Sequence, residues 1–217
     1  MVTISVERYD PECRDGPVLK AYQVPTEEGA TVMGALLYIY ENYDSSLAFR
    51  YGCRNESCGL CAMDIDGKPG LACTTPLKEG MVVRPLQKLP VARDLVVDRQ
   101  WIMPFLKQFD LFVPERNTRV WPERLTVPAE HVRLTACTEC LSCLADCPSY
   151  EPGLADRGGP YHFVKLAQLY WDPRNQIDRQ AQAAQLDIAR CAACHSCWCP
   201  VGVPIYRMAV APLMQRR

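Results

Sequence analysis

The chain has 217 residues, with 24 Lys and Arg against 25 Asp and Glu, which is room for one large domain or two small ones. The balanced charge argues against nucleic acid as the main partner, because phosphate binding needs a basic excess or stripe. No apolar run reaches membrane-spanning length, residues 32–40 being too short and interrupted by Gly34, and the N-terminus has neither a basic-then-apolar pattern nor a twin arginine, which argues against a secretory signal.

Residues 3–8 alternate, Ile4 and Val6 against Thr3 and Ser5, as a half-buried strand does, and Val18–Val24 reads as its hairpin partner. A helix is expected over 31–43, where Val32, Leu36, Ile39 and Tyr43 share one face. Short strands follow at Ala62–Ile65, closed by an Asp66-Gly67 turn, and at 81–84. After Pro85, Pro90 and a charged stretch the composition changes, and helices and loops are expected. Residues 161–170 and 177–190 read as helices, the second on the propensity of its Ala and Gln. Residues 204–214 form a last helix interrupted near its end by Pro212. The boundary falls near residues 95–105, so that 1–98 make a small mixed domain and 99–217 a helical one.

Cysteine is the outlying residue type, at 13. Nothing marks the chain as secreted, and clustered thiols in a reducing compartment are the soft ligands that iron–sulfur clusters and zinc select. After Cys13 they fall into three fours: Cys53, Cys58, Cys61 and Cys73; Cys137, Cys140, Cys143 and Cys147; Cys191, Cys194, Cys197 and Cys199. Three four-thiolate clusters require that arrangement. The first group has the plant-type [2Fe–2S] spacing, with Gly52 and Gly59 letting the loop turn so that amides point at sulfur. A zinc staple is the competing reading, but zinc sites favour paired cysteine knuckles.

The second group, ending Cys147-Pro148, is a bacterial ferredoxin run, in which the cysteine before proline ligates the other cluster. It requires a partner group, and the third group, ending Cys199-Pro200, supplies one. By this logic Cys137, Cys140, Cys143 and Cys199 hold a [4Fe–4S] cube, and Cys147, Cys191, Cys194 and Cys197 hold the third cluster. The single residue between Cys197 and Cys199 departs from the run, while the Cys-Pro ending keeps to it. Such interleaving ties distant positions together, so this half needs its metal to fold.

The stretches YGCRNESCGLC (51–61), DGKPGLACTTP (66–76) and RPLQKLPVARDLVVD (84–98) resemble the iron–sulfur subunits of succinate dehydrogenase and fumarate reductase. With both ferredoxin-type runs in order, the similarity covers almost the whole chain, and the PVARDLVVD segment makes it specific. The resemblance implies an α+β protein: an N-terminal β-grasp [2Fe–2S] ferredoxin domain, then an all-α helical ferredoxin-like domain carrying two cubane-type clusters. It implies electron transfer between an FAD-containing flavoprotein subunit and a quinone or other acceptor, with the dicarboxylate chemistry on the flavoprotein. A peripheral position on the cytoplasmic side of the membrane, held by partner subunits, is implied as well.

Two departures bear on mechanism. Most of the family lack a cysteine at the position of Cys194 and carry a [3Fe–4S] third cluster; Cys194 predicts [4Fe–4S] here, with [3Fe–4S] as the alternative, and a fourth thiolate should lower the potential. Quinone-reducing members carry a histidine where this chain has Ala192, and aromatics where it has Tyr150-Glu151-Pro152 after Ser149. The acceptor side therefore meets either a membrane anchor or a cysteine-rich subunit resembling heterodisulfide reductase, and an iron–sulfur carrier for such a reductase is the second functional reading. Outside the cysteine sets, Cys13 reads as a buried or free thiol. His195 reads as a packing or hydrogen-bonding side chain with a proton relay as the competing role. Arg54 and Arg190 are solvated or counter-charges to a cluster, and Trp101, Trp121 and Trp171 are core or interface anchors.

Overall fold

A computed structural model describes residues 1–12, 16–113, 125–153 and 156–215; Cys13 and Trp121 lie outside them. The chain folds as two compact units, one of Met1–Asp98 with Thr138–Asp146, the other of Arg99–Cys137 with Cys147–Arg217. The helical half is thus not the continuous segment 99–217 expected from composition. Residues 138–146 leave it because Leu141 and Leu144 are buried at 1% and 0% exposure and helix α4 (Ser142–Asp146) lies against strand β4 (Lys68–Leu71).

In the first unit, β1 (Val2–Arg8) pairs antiparallel with β2 (Val18–Val24) in the register Val2↔Val24 to Arg8↔Val18. It also runs parallel to β5 (Val82–Arg84). Strand β3 (Ala62–Ile65) joins β5 and β4 antiparallel, giving the order β2-β1-β5-β3-β4. One helix, α1 (Val32–Asn42), separates the two hairpins. This is β-grasp topology. The alternation of β1 sends Ile4 and Val6 into the core at 0% exposure, together with Val32, Leu36 and Ile39 of α1, each such burial stabilising by roughly 1.5–3 kcal/mol. Thr31 caps α1, its Oγ1 accepting from Gly34 N at 3.2 Å. The β3–β4 turn places Asp66 and Gly67 at φ 54° and 80°, the left-handed pair a tight hairpin needs.

The PVARDLVVD segment forms a second small hairpin, β6 (Val91–Arg93) with β7 (Val96–Val97). Its Asp94, 2% exposed, accepts from Arg8 Nε at 3.0 Å, Tyr9 N at 2.9 Å and Ala48 N at 2.8 Å. Arg8 also donates to Asp44 at 2.5 Å and Tyr22 at 3.1 Å. Burial works against its charge, but the bonds to Asp94, Tyr22 and Asp44 outweigh that and hold its pKa above the usual guanidinium value. The motif that makes the sequence resemblance specific is thus a clamp, joining the end of β1 to the loop that leads into the first cysteine group.

The second unit contains α2 (Ile102–Gln108), α3 (Ala129–Leu134), α5 (Pro160–Tyr170), α6 (Arg179–Gln185) and α7 (Ala211–Met214). Arg179 is 1% exposed and donates to the carbonyls of Phe109 at 2.9 Å and Asp110 at 3.1 Å, just past the end of α2, and to Asn175 and Gln182. Its charge sits among carbonyl groups that have no helical donors.

Two helix expectations need correction. The helix over 177–190 breaks: α6 ends, Asp187 turns left-handed at φ 51°, and Ile188–Ala193 continues as 3₁₀ helix. The Leu186 carbonyl is taken by Gly158 N at 3.0 Å, and Gly158 is required there because a Cβ would stand 2.9 Å from Leu186 Cβ. The helix over 204–214 is a π-helical turn, Tyr206–Val210, followed by α7. Pro212 does not end it, because the helical backbone runs from the π turn straight into α7. The Met208 carbonyl, which lacks an amide donor at residue 212, accepts from Trp171 Nε1 at 2.9 Å instead.

Candidate metal centres

The first cysteine group sits on a loop built for a negative charge. Arg54 and Glu56 adopt φ 61° and 57°, so that successive amides turn inward as an anion-binding nest. Cys53 Sγ accepts from the backbone N–H of Asn55 at 3.4 Å, Ser57 at 3.2 Å and Cys58 at 3.2 Å. These bonds, Asn55 first, bring its thiol down to about 7. Cys58 Sγ accepts from Cys53 N at 3.5 Å. Cys61 and Cys73 are buried at 3% and 9% exposure. Burial, reinforced by the thiols of Cys73 and Cys58, pushes Cys61 up to about 12. Four thiols thus share one pocket, with amides ready for thiolate at Cys53 and burial opposing it at Cys61, and the positive charge of cluster iron fits that set.

The second group begins where the first loop is touched. Gly59, at φ +65°, has no room for a side chain: a Cβ would stand 2.6 Å from the Thr138 carbonyl, 2.7 Å from Thr138 Oγ1 and 2.9 Å from Cys140 Cβ. Backbone therefore meets backbone between the Cys58–Cys61 turn and the Thr138–Cys140 turn, a feature visible in the sequence only as a glycine between two cysteines. Cys140 and Cys143 are buried in the first unit, and Cys140 Sγ donates to Ser142 Oγ at 3.4 Å. Cys137 and Cys199 belong to the second unit.

The remaining four cysteines belong to the second unit together. Burial pushes Cys191 up to about 11, opposed by the Arg190 charge and reinforced by Cys147 and Cys194. Burial pushes Cys197 up to about 12, with Cys191, Cys147 and Cys194 adding to it. Cys147 thus stands with a group that follows it by more than forty residues, and these half-buried thiols have the Arg190 charge acting on Cys191. Among the described residues no three His, Cys, Asp or Glu side chains stand close enough to hold a single metal ion; a cluster spaces its thiolates across two to four irons.

His195 is exposed, its ring 4.1 Å from that of Tyr206, and Trp198 is 42% exposed. A cleft of about 350 Å³ opens beside the third group, lined by Gln180, Ala184, Ile188, Ala192, Leu213 and Met214 among others. Arg54 lies over the Tyr51 ring at 5.6 Å, and Tyr51 stacks on Phe49 at 5.7 Å. Among the described residues no helix is long and apolar enough to cross a membrane.

Residues 3–104 match the family model of a 2Fe-2S iron-sulfur cluster binding domain. The fumarate reductase iron-sulfur subunit of Mycobacterium tuberculosis is 36% identical over 220 residues, which cover 93% of this chain and 87% of that one. The chain belongs to the fumarate reductase/succinate dehydrogenase iron–sulfur subunit family. In a solved structure, the Mycobacterium smegmatis Sdh1 complex in the apo form, a chain 25% identical matches with a TM-score of 0.86 over 98% of this chain and 93% of its own length. In Methanothermobacter marburgensis, a subunit of the fumarate reductase (CoM/CoB) is 31% identical over 200 residues. Those residues are 91% of this chain but 40% of that protein, and the chain spans about two fifths of the length of such long relatives. Membership of the family brings a [2Fe–2S] cluster to the N-terminal domain, and a [4Fe–4S] cluster and a third cluster to the cysteine-rich C-terminal half.

Proposed function

We propose that the chain is the electron-transfer subunit of a succinate dehydrogenase/fumarate reductase-type complex. It passes single electrons between an FAD-containing flavoprotein subunit and an acceptor at its far end. Residues 1–98 act as the [2Fe–2S] domain, and the cysteines of 99–217 hold the other two clusters, those of 138–146 included although that stretch packs with the first unit. Cys53, Cys58, Cys61 and Cys73 hold the [2Fe–2S] cluster. Cys137, Cys140, Cys143 and Cys199 hold a [4Fe–4S] cluster, and Cys147, Cys191, Cys194 and Cys197 hold the third as [4Fe–4S].

When bound, the clusters supply the one-electron chemistry; the chain supplies ligands, charge and distance. The Cys53 nest offers three N–H donors to one thiolate, and the Gly59–Thr138 approach keeps the first two ligand loops together. The observation that carries the reading is the set of twelve cysteines grouped as three fours in a member of this family.

At the far end, the apolar cleft beside Ala192 favours an apolar acceptor such as a quinone, with a membrane anchor completing the site and the complex on the cytoplasmic face. A second reading has support of its own: alanine stands where quinone-reducing members carry histidine, and one long relative is a subunit of a fumarate reductase (CoM/CoB). There the partner is a cysteine-rich subunit of heterodisulfide reductase type.

Anaerobic purification through a tag on this chain tests the proposal. An FAD-bearing flavoprotein that copurifies, and succinate- or fumarate-dependent turnover in the complex, are expected. Recovery of a different flavin reductase, with no dicarboxylate activity, would select the second reading.

A further inference from the structure

Arg190 immediately precedes Cys191 in the 3₁₀ segment Ile188–Ala193 and is only 17% exposed at its side chain. One end of its guanidinium is engaged, Nη2 donating to the Gly158 carbonyl. The other end is not: Nη1 stands 3.7 Å from Asp187 Oδ2, too far for a hydrogen bond, and Nη1 and Nε are buried without an acceptor among the described residues. A buried donor left unpaired is unfavourable, the more so when it carries charge. Asp187 offers little neutralisation, its side chain being 53% exposed. The donors belong to the residue next to the thiol set of Cys147, Cys191, Cys194 and Cys197, and the Arg190 charge already bears on Cys191.

We propose that Arg190 sets the potential of the third cluster, its Nε and Nη1 donating to a thiolate or sulfide of that cluster while Nη2 stays anchored on Gly158. This rests on the ligand assignment made above. The chemistry is complementary on both sides. A cluster held by four thiolates carries one negative charge more from its ligands than a cluster held by three. A fixed guanidinium at hydrogen-bond range offsets that charge and favours the reduced state. The competing account is structural: Arg190 only pins the Gly158 loop against the 3₁₀ segment.

A redox titration followed by EPR on the full chain, purified anaerobically with its partners, separates the two. The step belonging to the third cluster is identified by its displacement in Cys194→Ser. Arg190→Gln keeps a donor for the Gly158 carbonyl and removes the charge. Its third cluster is expected at full iron content but about tenfold harder to reduce, a midpoint lower by about 59 mV for a one-electron step, with the other two steps unmoved. A third-cluster midpoint equal to wild type would leave Arg190 as a structural pin and overturn the proposal. Should Arg190→Gln fail to assemble the cluster, Arg190→Lys decides: it keeps the charge without the planar fork. A smaller fall in the same step is expected there, and no fall overturns the proposal. A wild-type protein with only two clusters would instead refute the ligand assignment.

Discussion

Replacing Gly59 by alanine adds one carbon at the point where the first two ligand loops meet. The backbone there has φ +65°, a left-handed conformation that costs an alanine roughly 1–2 kcal/mol. The new Cβ would lie 2.6 Å from the Thr138 carbonyl oxygen and 2.9 Å from Cys140 Cβ, so one loop must move, at roughly 1–3 kcal/mol for overpacking. The total is roughly 2–5 kcal/mol, against about 5–15 kcal/mol for a typical domain. Gly80→Ala is the control, since Gly80 has a similar φ of +76° but nothing within 4 Å of its Cβ. Thermal unfolding of the cluster-loaded chain at a fixed scan rate, read by visible absorption, should place Gly59→Ala below Gly80→Ala by several degrees. Gly59→Ala should also weaken the magnetic coupling between the first and second clusters in EPR spectra of the fully reduced protein. Equal melting of the two variants, with coupling unchanged, would refute the claim that the loops are pressed together at this glycine.

Three further outcomes are expected. Asp94→Ala removes the partner of Arg8 Nε and of two backbone amides and should cost about 3–5 kcal/mol in denaturant unfolding of the chain; a loss under about 1 kcal/mol would show that Asp44 suffices for Arg8. Arg179→Met, which leaves the carbonyls of Phe109 and Asp110 without this donor, should cost a comparable amount and loosen α2 in hydrogen exchange, whereas unchanged protection there would contradict the role given to Arg179. His162 accepts from Gly159 N at 2.9 Å, and burial lowers its pKa from 6.5 to about 4. The unfolded chain therefore takes up the proton first, so stability is complete above pH 6.5 and falls by roughly 3 kcal/mol as pH drops towards 4. His162→Gln, which retains an acceptor for that amide, should flatten this slope in pH-dependent unfolding, and an unaltered slope would assign it elsewhere.

The division of twelve cysteines into three fours is visible in spacing alone, and spacing survives without coordinates; the sharing of clusters among them is the proposal made above. The strand pattern around Ile4 and Val6 and the Thr31-capped helix were equally legible, since period and capping are local. What escaped the sequence depends on distant backbone. Nothing near Ile188 announces that Gly158 will take the Leu186 carbonyl and break the helix. Nothing near Pro212 reveals that Trp171 will supply the donor missing at Met208. The passage of Thr138–Asp146 into the first unit is of the same kind, decided by Leu141 and Leu144, which a reader intent on cysteines treats as filler. Arg190 was legible as a charge beside Cys191, but its unpaired donors were not.

Iron analysis with EPR of the oxidised and dithionite-reduced protein, purified anaerobically with its partners, tests the central claim most directly. The account predicts about ten irons per chain, a reduced [2Fe–2S] signal and no [3Fe–4S] signal in the undamaged oxidised protein. A strong oxidised [3Fe–4S] signal would remove Cys194 from the ligand set, and zinc in place of iron would contradict the account as a whole.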